Sequence, residues 1–234
     1  MGSSRFPGKP LAPLLGKPMI EHVYRRTAAC RALADVYVAT CDEEIRAAVV
    51  GFGGKVVMTA NTHQRASDRT AEAAATISAD VVVMVQGDEP MIEPSMIEAS
   101  LCPFVEERGI ECVNLMKRID GEEEFLNPDI IKVTVDQAGF ALYMSRAPIP
   151  THFGSPFSDI RAYKQVCVIP FTSRCLARFA ELPPTALEIA ESIDMLRLMQ
   201  HGIKVRMVET LIATQSVDRP SDLELVRRLM ERAA

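Results

Sequence analysis

The sequence predicts an α/β protein with a Rossmann-like, mostly parallel sheet, and three observations predict it. Short β-branched runs at 35–40, 55–58 and 81–85 alternate with stretches of helical periodicity, the pattern of strands linked by crossover helices. The run Val81-Val82-Val83-Met84-Val85 has no polar face, as expected of a central parallel strand covered by helices on both sides. The chain has 234 residues, 48% hydrophobic and 24% charged, enough to bury a core and too apolar for a disordered or collagen-like polypeptide. At roughly 150 residues per domain, residues 1–234 read as one large domain.

In chain order, helices are expected at 18–29, 43–51, 68–77 and 94–107, each closing where the apolar periodicity breaks. From 111 to 150 the pattern changes to strands in succession, at 112–116, 130–135 and 140–144, with Asp136-Gln137-Ala138-Gly139 as a hairpin turn. Such a strand-rich section often forms a flap or a dimer surface. Helices then return: Thr185-Ala186-Leu187-Glu188 reads as a capping box, and Pro220 as a first-turn proline of the terminal helix. The sequence holds no internal repeat, linker or low-complexity tract.

Composition excludes several partners. With 26 Lys and Arg against 31 Asp and Glu, the net charge of −5 gives no general attraction for a polyanion, so nucleic acid is not expected as a partner. No apolar run approaches the ~18 residues of a spanning helix, so no membrane span is expected. The six cysteines form no CxxC pair and read as reduced core residues. Residues 1–9 lack the apolar stretch of a secretory signal, which points to the cytoplasm.

Three segments carry chemistry. Gly2-Ser3-Ser4-Arg5-Phe6-Pro7-Gly8-Lys9-Pro10 combines glycines, hydroxyls and two cations, a composition that suits either a phosphate-wrapping loop or a frayed terminus. Gln86-Gly87-Asp88-Glu89-Pro90 ends the buried strand at 81–85, and open α/β sheets bind ligands beyond the carboxyl ends of their strands. Asp88 there is either a ligand for a hard cation such as Mg²⁺ or a helix-capping acid, and Asp218, ahead of Pro220, has the same two readings. Together they supply the two carboxylates that a protein commonly contributes to a Mg²⁺ site completed by water and substrate phosphates.

These segments occur in order with Gly16-Lys17-Pro18-Met19-Ile20, Ala141-Leu142-Tyr143-Met144-Ser145-Arg146-Ala147-Pro148-Ile149-Pro150 and Val217-Asp218. The ordered set resembles the 3-deoxy-manno-octulosonate cytidylyltransferase (CMP-KDO synthetase) family from residue 2 to the C-terminal helix. The resemblance implies a nucleotide-diphospho-sugar transferase fold and a homodimer. It also implies a Mg²⁺-dependent transfer of CMP from CTP to a sugar acid, with release of pyrophosphate. Carried over by position, Arg5 and Lys9 match triphosphate-binding cations, Asp88 and Asp218 metal carboxylates, and Gln86 a ligand-site glutamine. Gln64 and Arg69 match base-segment residues, and Arg146, Lys164, Gln165, Glu188 and Glu191 match the sugar side. Arg5, Lys9 and Asp88 are the expected catalytic residues. Glu188 and Glu191 stand three apart on one helical face, where their carboxylates could accept bonds from sugar hydroxyls or simply be solvated.

The departures point to specificity. The family's His-Gln-Ser-Gly-Thr-(Asp or Glu)-Arg becomes His63-Gln64-Arg65-Ala66-Ser67-Asp68-Arg69, so Ala66 either pays a steric cost or reshapes the loop if that glycine uses a positive φ. The family's Arg-His-(apolar)-Gly-Ile-Tyr becomes Lys164-Gln165-Val166-Cys167-Val168-Ile169, which loses an imidazole and a phenol, so Gln165 and Ile169 are expected to set the sugar preference. The alternatives to KDO are a sialic-acid-like nonulosonate, or a nucleotide-binding homologue without turnover. In the family an apolar strand runs directly into the Gly-Ser-Ser-Arg loop. Here Met1 stands where that strand would end, so the resemblance implies that a first strand, with its lead-in on the order of ten residues, is missing, through a late-assigned start or a real truncation.

Overall fold

The computed structural model describes residues 6–151 and 153–233. Its elements in chain order are a one-turn 3-10 helix over Lys9–Leu11, β1 (Pro13–Leu14), β2 (Lys17–Pro18), α1 (Met19–Ala28), β3 (Tyr37–Thr40), α2 (Glu43–Gly51), β4 (Lys55–Met58) and α3 (Ala66–Ala74). There follow β5 (Val81–Val85), α4 (Pro94–Glu106), β6 (Val113–Arg118), α5 (Glu122–Leu126), β7 (Lys132–Val135) and β8 (Ala141–Ser145). After a second 3-10 turn at Phe157–Asp159 come β9 (Tyr163–Val166), β10 (Val168–Thr172), α6 (Ser173–Glu181), α7 (Ala186–Glu191), α8 (Met195–Gln200), β11 (Arg206–Glu209) and α9 (Pro220–Ala233). None of the described helices is long and apolar enough to cross a membrane. The domain expected over 1–234 is built of two compact units, the first taking residues up to Ile77, Val85–Glu98 and the chain from Ala213, the second Ser78–Met84 and Ala99–Ile212.

In the first unit, β1 and β2 form a hairpin whose central residues Leu15 and Gly16 both have positive φ, 48° and 78°, the backbone a primed two-residue turn requires. β3 and β4 pair in parallel, with Tyr37 opposite Lys55 and Thr40 opposite Met58, and α2 supplies the crossover that a parallel pair needs. Leu14 from the hairpin, Met19 from α1 and Val217, Val226 and Met230 at the C-terminal end bury together, with Phe6, Met91 and Leu223 packed against them. This cluster seats α9 on the hairpin, and Pro220 opens α9 as the sequence predicts.

The second unit holds a five-stranded mixed sheet in the order β11-β6-β9-β7-β8. β11 and β6 run parallel, whereas β6–β9, β9–β7 and β7–β8 are antiparallel. The antiparallel share is the strand-rich section at work: Asp136 and Gly139 close the β7–β8 turn by a 3.0 Å backbone bond, with Gly139 at φ 81°. β5 pairs with β10 alone among the described residues, and of its five side chains only Met84 is buried, so the covered central strand expected at 81–85 is half-buried instead. Ile119, Phe125 and Ala162 form a satellite core closed by Phe157 and Ile160. The capping box of α7 is complete, with Thr185 and Glu188 each accepting from the other's backbone N–H.

Candidate active site

In the first unit, three charged side chains from distant parts of the chain meet. Gly8, at φ 72°, turns the backbone into the 3-10 helix that carries Lys9. The Lys9 ammonium donates to Asp88 Oδ2 at 2.7 Å and stands 3.7 Å from Asp218 Oδ1. Asp88 lies in the turn after β5, where Glu89 N donates to Gln86 O at 3.2 Å, and Gln86 is partly buried in the same turn. Asp218 precedes α9, where Asp222 Oδ2 accepts from the backbone N–H of Asp218 and Arg219 at 3.0 and 2.8 Å. Val217 N donates to Asp88 O at 2.9 Å and ties the two segments together.

Two carboxylates drawn to one cation are a hard, anionic oxygen set. Asp88 Oδ1 is buried and has no hydrogen-bond partner among the described residues, a position that a buried carboxylate oxygen keeps only at a cost. Both features fit a divalent cation with oxygen preference. Of the expected catalytic residues the structure thus brings Lys9 and Asp88 together with Asp218, while Arg5 lies outside the described residues.

The base segment is held by α3. Ala66 is its first residue, and the described non-glycine residues with positive φ are Leu15 and Ser192, so the steric cost expected at Ala66 does not arise. Gln64 is exposed. Arg69 spends its guanidinium on Thr59 Oγ1 at 2.5 Å and Ala60 O at 3.2 Å. One turn on, Glu72 bonds to His63 Nε2 and accepts from Ala60 N, contacts that in that order hold its carboxyl below its ordinary value. Arg69, expected on the nucleotide side, and Glu72 therefore clamp the loop before the helix.

In the second unit, Lys164 on β9 pairs with Glu124, and the Gln165 amide donates to Asn114 Oδ1 at 2.5 Å. Asn114 is fully buried and donates to Val166 O and Leu115 O, so Gln165 is oriented by a fixed partner. The other sugar-side expectations meet different surroundings. Arg146 turns its guanidinium onto the carbonyls of Pro128, Asp129, Glu191 and Ser192. The Glu191 carboxylate accepts from Tyr143 OH, Ser145 Oγ and Arg146 N. Beneath them Lys132, fully buried, donates to the carbonyls of Asn127, Ile130 and Arg146 at 2.6 to 2.8 Å.

Glu188 is 1% exposed and is bonded by Arg197 at both carboxylate oxygens, besides capping α7. Arg146, Glu188 and Glu191, three residues expected on the sugar side, thus join strands, loops and helices here. The reason is physical: burial demands a partner for each polar group, and these partners are backbone carbonyls and Arg197. Ile169, expected to set sugar preference, is buried in the core within β10. Sequence reasoning missed Lys132, Asn114, Glu72 and Arg197. For Asn114 the signal was an amide between apolar strand residues and for Lys132 a charge after two isoleucines; Glu72 and Arg197 had no local signal.

The cytidylyltransferase family profile matches residues 1–208. The chain is 44% identical over 234 residues to the 3-deoxy-manno-octulosonate cytidylyltransferase of Geobacter sulfurreducens, covering 96% of this chain and 93% of that protein. It is 38% identical over 229 residues to the protein of the same name from Solibacter usitatus, covering 98% and 90%. A solved CMP:2-keto-3-deoxy-manno-octonic acid synthetase complexed with CTP superposes with a TM-score of 0.91 at 40% identity, covering all of this chain and 95% of that one. A glucose-1-phosphate thymidylyltransferase structure from Bacillus anthracis shares the fold alone, at 16% identity and a TM-score of 0.66. With two carboxylates and a lysine assembled on a fold that these relatives share over nearly their full length, the chain belongs to the cytidylyltransferase family.

Proposed function

We propose that the protein transfers CMP from CTP to 3-deoxy-D-manno-octulosonate, giving the CMP-sugar and pyrophosphate in the activation of a sugar for lipopolysaccharide. The observation that carries the reading is the convergence of Asp88 and Asp218 on Lys9, in a chain whose relatives bear that name along almost their whole length. In the reaction the anomeric hydroxyl attacks the α-phosphorus and loses its proton, while the bond to the β-phosphate breaks and pyrophosphate leaves. Such a transfer asks for positioning and charge neutralisation more than for covalent catalysis.

Asp88 and Asp218 are the residues that would hold Mg²⁺, which when bound neutralises charge on the triphosphate and the leaving group. Lys9 brings a fixed positive charge to the same place, and Arg5 is assigned to the triphosphate by its position in the motif. Lys164 and Gln165 are assigned to the sugar acid. Glu124 already balances the Lys164 ammonium, so a sugar carboxylate there must share or displace that pair. The enzyme is read as a cytoplasmic homodimer whose partners are CTP and the sugar acid, with no nucleic-acid or membrane partner.

The test is pyrophosphate release from CTP and Mg²⁺ with a small panel of ulosonic acids. Turnover should be greatest with KDO, and Asp88→Asn and Asp218→Asn should each lower it on the order of a hundredfold or more with the fold intact. Near-parental activity of either variant at limiting Mg²⁺ would remove the two-carboxylate assignment.

A further inference from the structure

Asp218 sits in a stretch without regular structure. Between the end of β11 at Glu209 and the start of α9 at Pro220 there is no helix or strand, and the Asp222 cap ties Asp218 to α9 but not to the turn that carries Asp88, so regular structure does not set how near the two carboxylates come. Two tethers do. One is the backbone bond from Val217 N to Asp88 O. The other is a side-chain bond from Thr214 Oγ1 to Glu89 Oε2 at 2.8 Å, between residues 8% and 4% exposed. The tethers end on consecutive residues, Asp88 and Glu89, of the turn after β5. The Thr214 bond is thus a second fixed point on the segment that delivers Asp218, with water largely excluded around it.

We infer that Thr214 is a positioning residue for the Asp88–Asp218 pair: its hydroxyl, bonded to Glu89, fixes the approach of the two carboxylates and so sets their affinity for a hard divalent cation. The inference rests on the reading that this pair holds the cation. Outer partners of ligating carboxylates act in this way, by restricting the ligands to the arrangement that binds. The Thr214 hydroxyl bonds the Glu89 carboxylate rather than Asp88 or Asp218, and acts through Glu89 and the backbone it anchors.

The test uses Mn²⁺ alone as the probe, with the unbound ion read by electron paramagnetic resonance on the full chain without nucleotide. Thr214→Val removes only the hydroxyl, and Thr214→Ser restores it. Thr214→Val should bind Mn²⁺ about tenfold more weakly, with Thr214→Ser within about twofold of the parent. In turnover, Thr214→Val should raise the Mg²⁺ concentration for half-maximal rate while kcat at saturating Mg²⁺ stays near the parent's. If Thr214→Val does not fold by circular dichroism, the same contrast is read between Thr214→Ala and Thr214→Ser. Parental Mn²⁺ affinity in the variant that lacks the hydroxyl overturns the inference, whatever happens to its unfolding midpoint, because a purely structural bond would move stability alone. A parent that binds no Mn²⁺ overturns it too. A parent that binds Mn²⁺ with the predicted Thr214 dependence yet releases no pyrophosphate leaves the inference standing and refutes the proposed reaction.

Discussion

Replacing Arg197 with Met strands a carboxylate that has no route to water. Glu188 and Arg197 are 1% and 3% exposed, and two N–H···O bonds join them, Nε to Oε2 at 2.9 Å and Nη2 to Oε1 at 2.7 Å. The guanidinium also donates to Phe179 O at 3.2 Å and lies 4.1 Å from the centre of the Phe179 ring. Methionine fills much of the vacated volume, so the cavity contribution is modest and the uncompensated charge dominates. Breaking a buried pair from one side costs about 3–5 kcal/mol, a large part of the ~5–15 kcal/mol that holds a typical domain together. Glu188→Gln in the same background removes the stranded charge and keeps an oxygen to accept from Thr185 N, as Glu188 Oε2 does at 3.2 Å. The double variant should therefore recover roughly 1–3 kcal/mol relative to Arg197→Met. Urea unfolding followed by far-ultraviolet circular dichroism, at constant slope, gives the four corners of the cycle. A loss below about 1 kcal/mol in Arg197→Met would refute this reasoning, since the Glu188 carboxylate would then not depend on its partner.

Burial, reinforced by Arg146 and opposed by Glu191, pushes the Lys132 ammonium down to about 8 from its ordinary 10.5. The unfolded chain then holds this proton more tightly than the folded one, so the stability that Lys132 contributes relative to Lys132→Met should rise as pH climbs from about 8 to 10.5. The difference between the two urea midpoints across that window measures it, and a flat difference contradicts it. Gln165→His should raise kcat/KM for KDO relative to other sugar acids, because it restores the imidazole at a position already oriented by Asn114. An unchanged ratio removes Gln165 from the specificity argument. Ile169→Tyr, by contrast, should cost about 1–3 kcal/mol of stability through overpacking of a buried site, read by the same unfolding assay.

What the sequence determined by itself were features written locally. The helix at 43–51 and the strands at 55–58 and 81–85 fall within the bounds expected, because their periodicity and flanking breakers act over a few residues. The Asp136–Gly139 turn, the Thr185 capping box and Pro220 at the start of α9 are local in the same sense. The ordered motifs also singled out Lys9, Asp88 and Asp218, whose side chains meet in the fold. Only the tertiary structure decided which groups meet and which are spent. Lys9 reaches Asp88 across 79 positions of sequence, and the Thr214–Glu89 bond spans 125. The occupation of Arg146 by four carbonyls, of Glu188 by Arg197 and of Lys132 by three loop carbonyls depends on folding those carbonyls and charges together. The half-burial of β5 and the antiparallel majority of the five-stranded sheet likewise depend on which strand edges meet. A residue type states what a side chain can bond. Burial removes water as a partner, and the fold alone determines which bond remains.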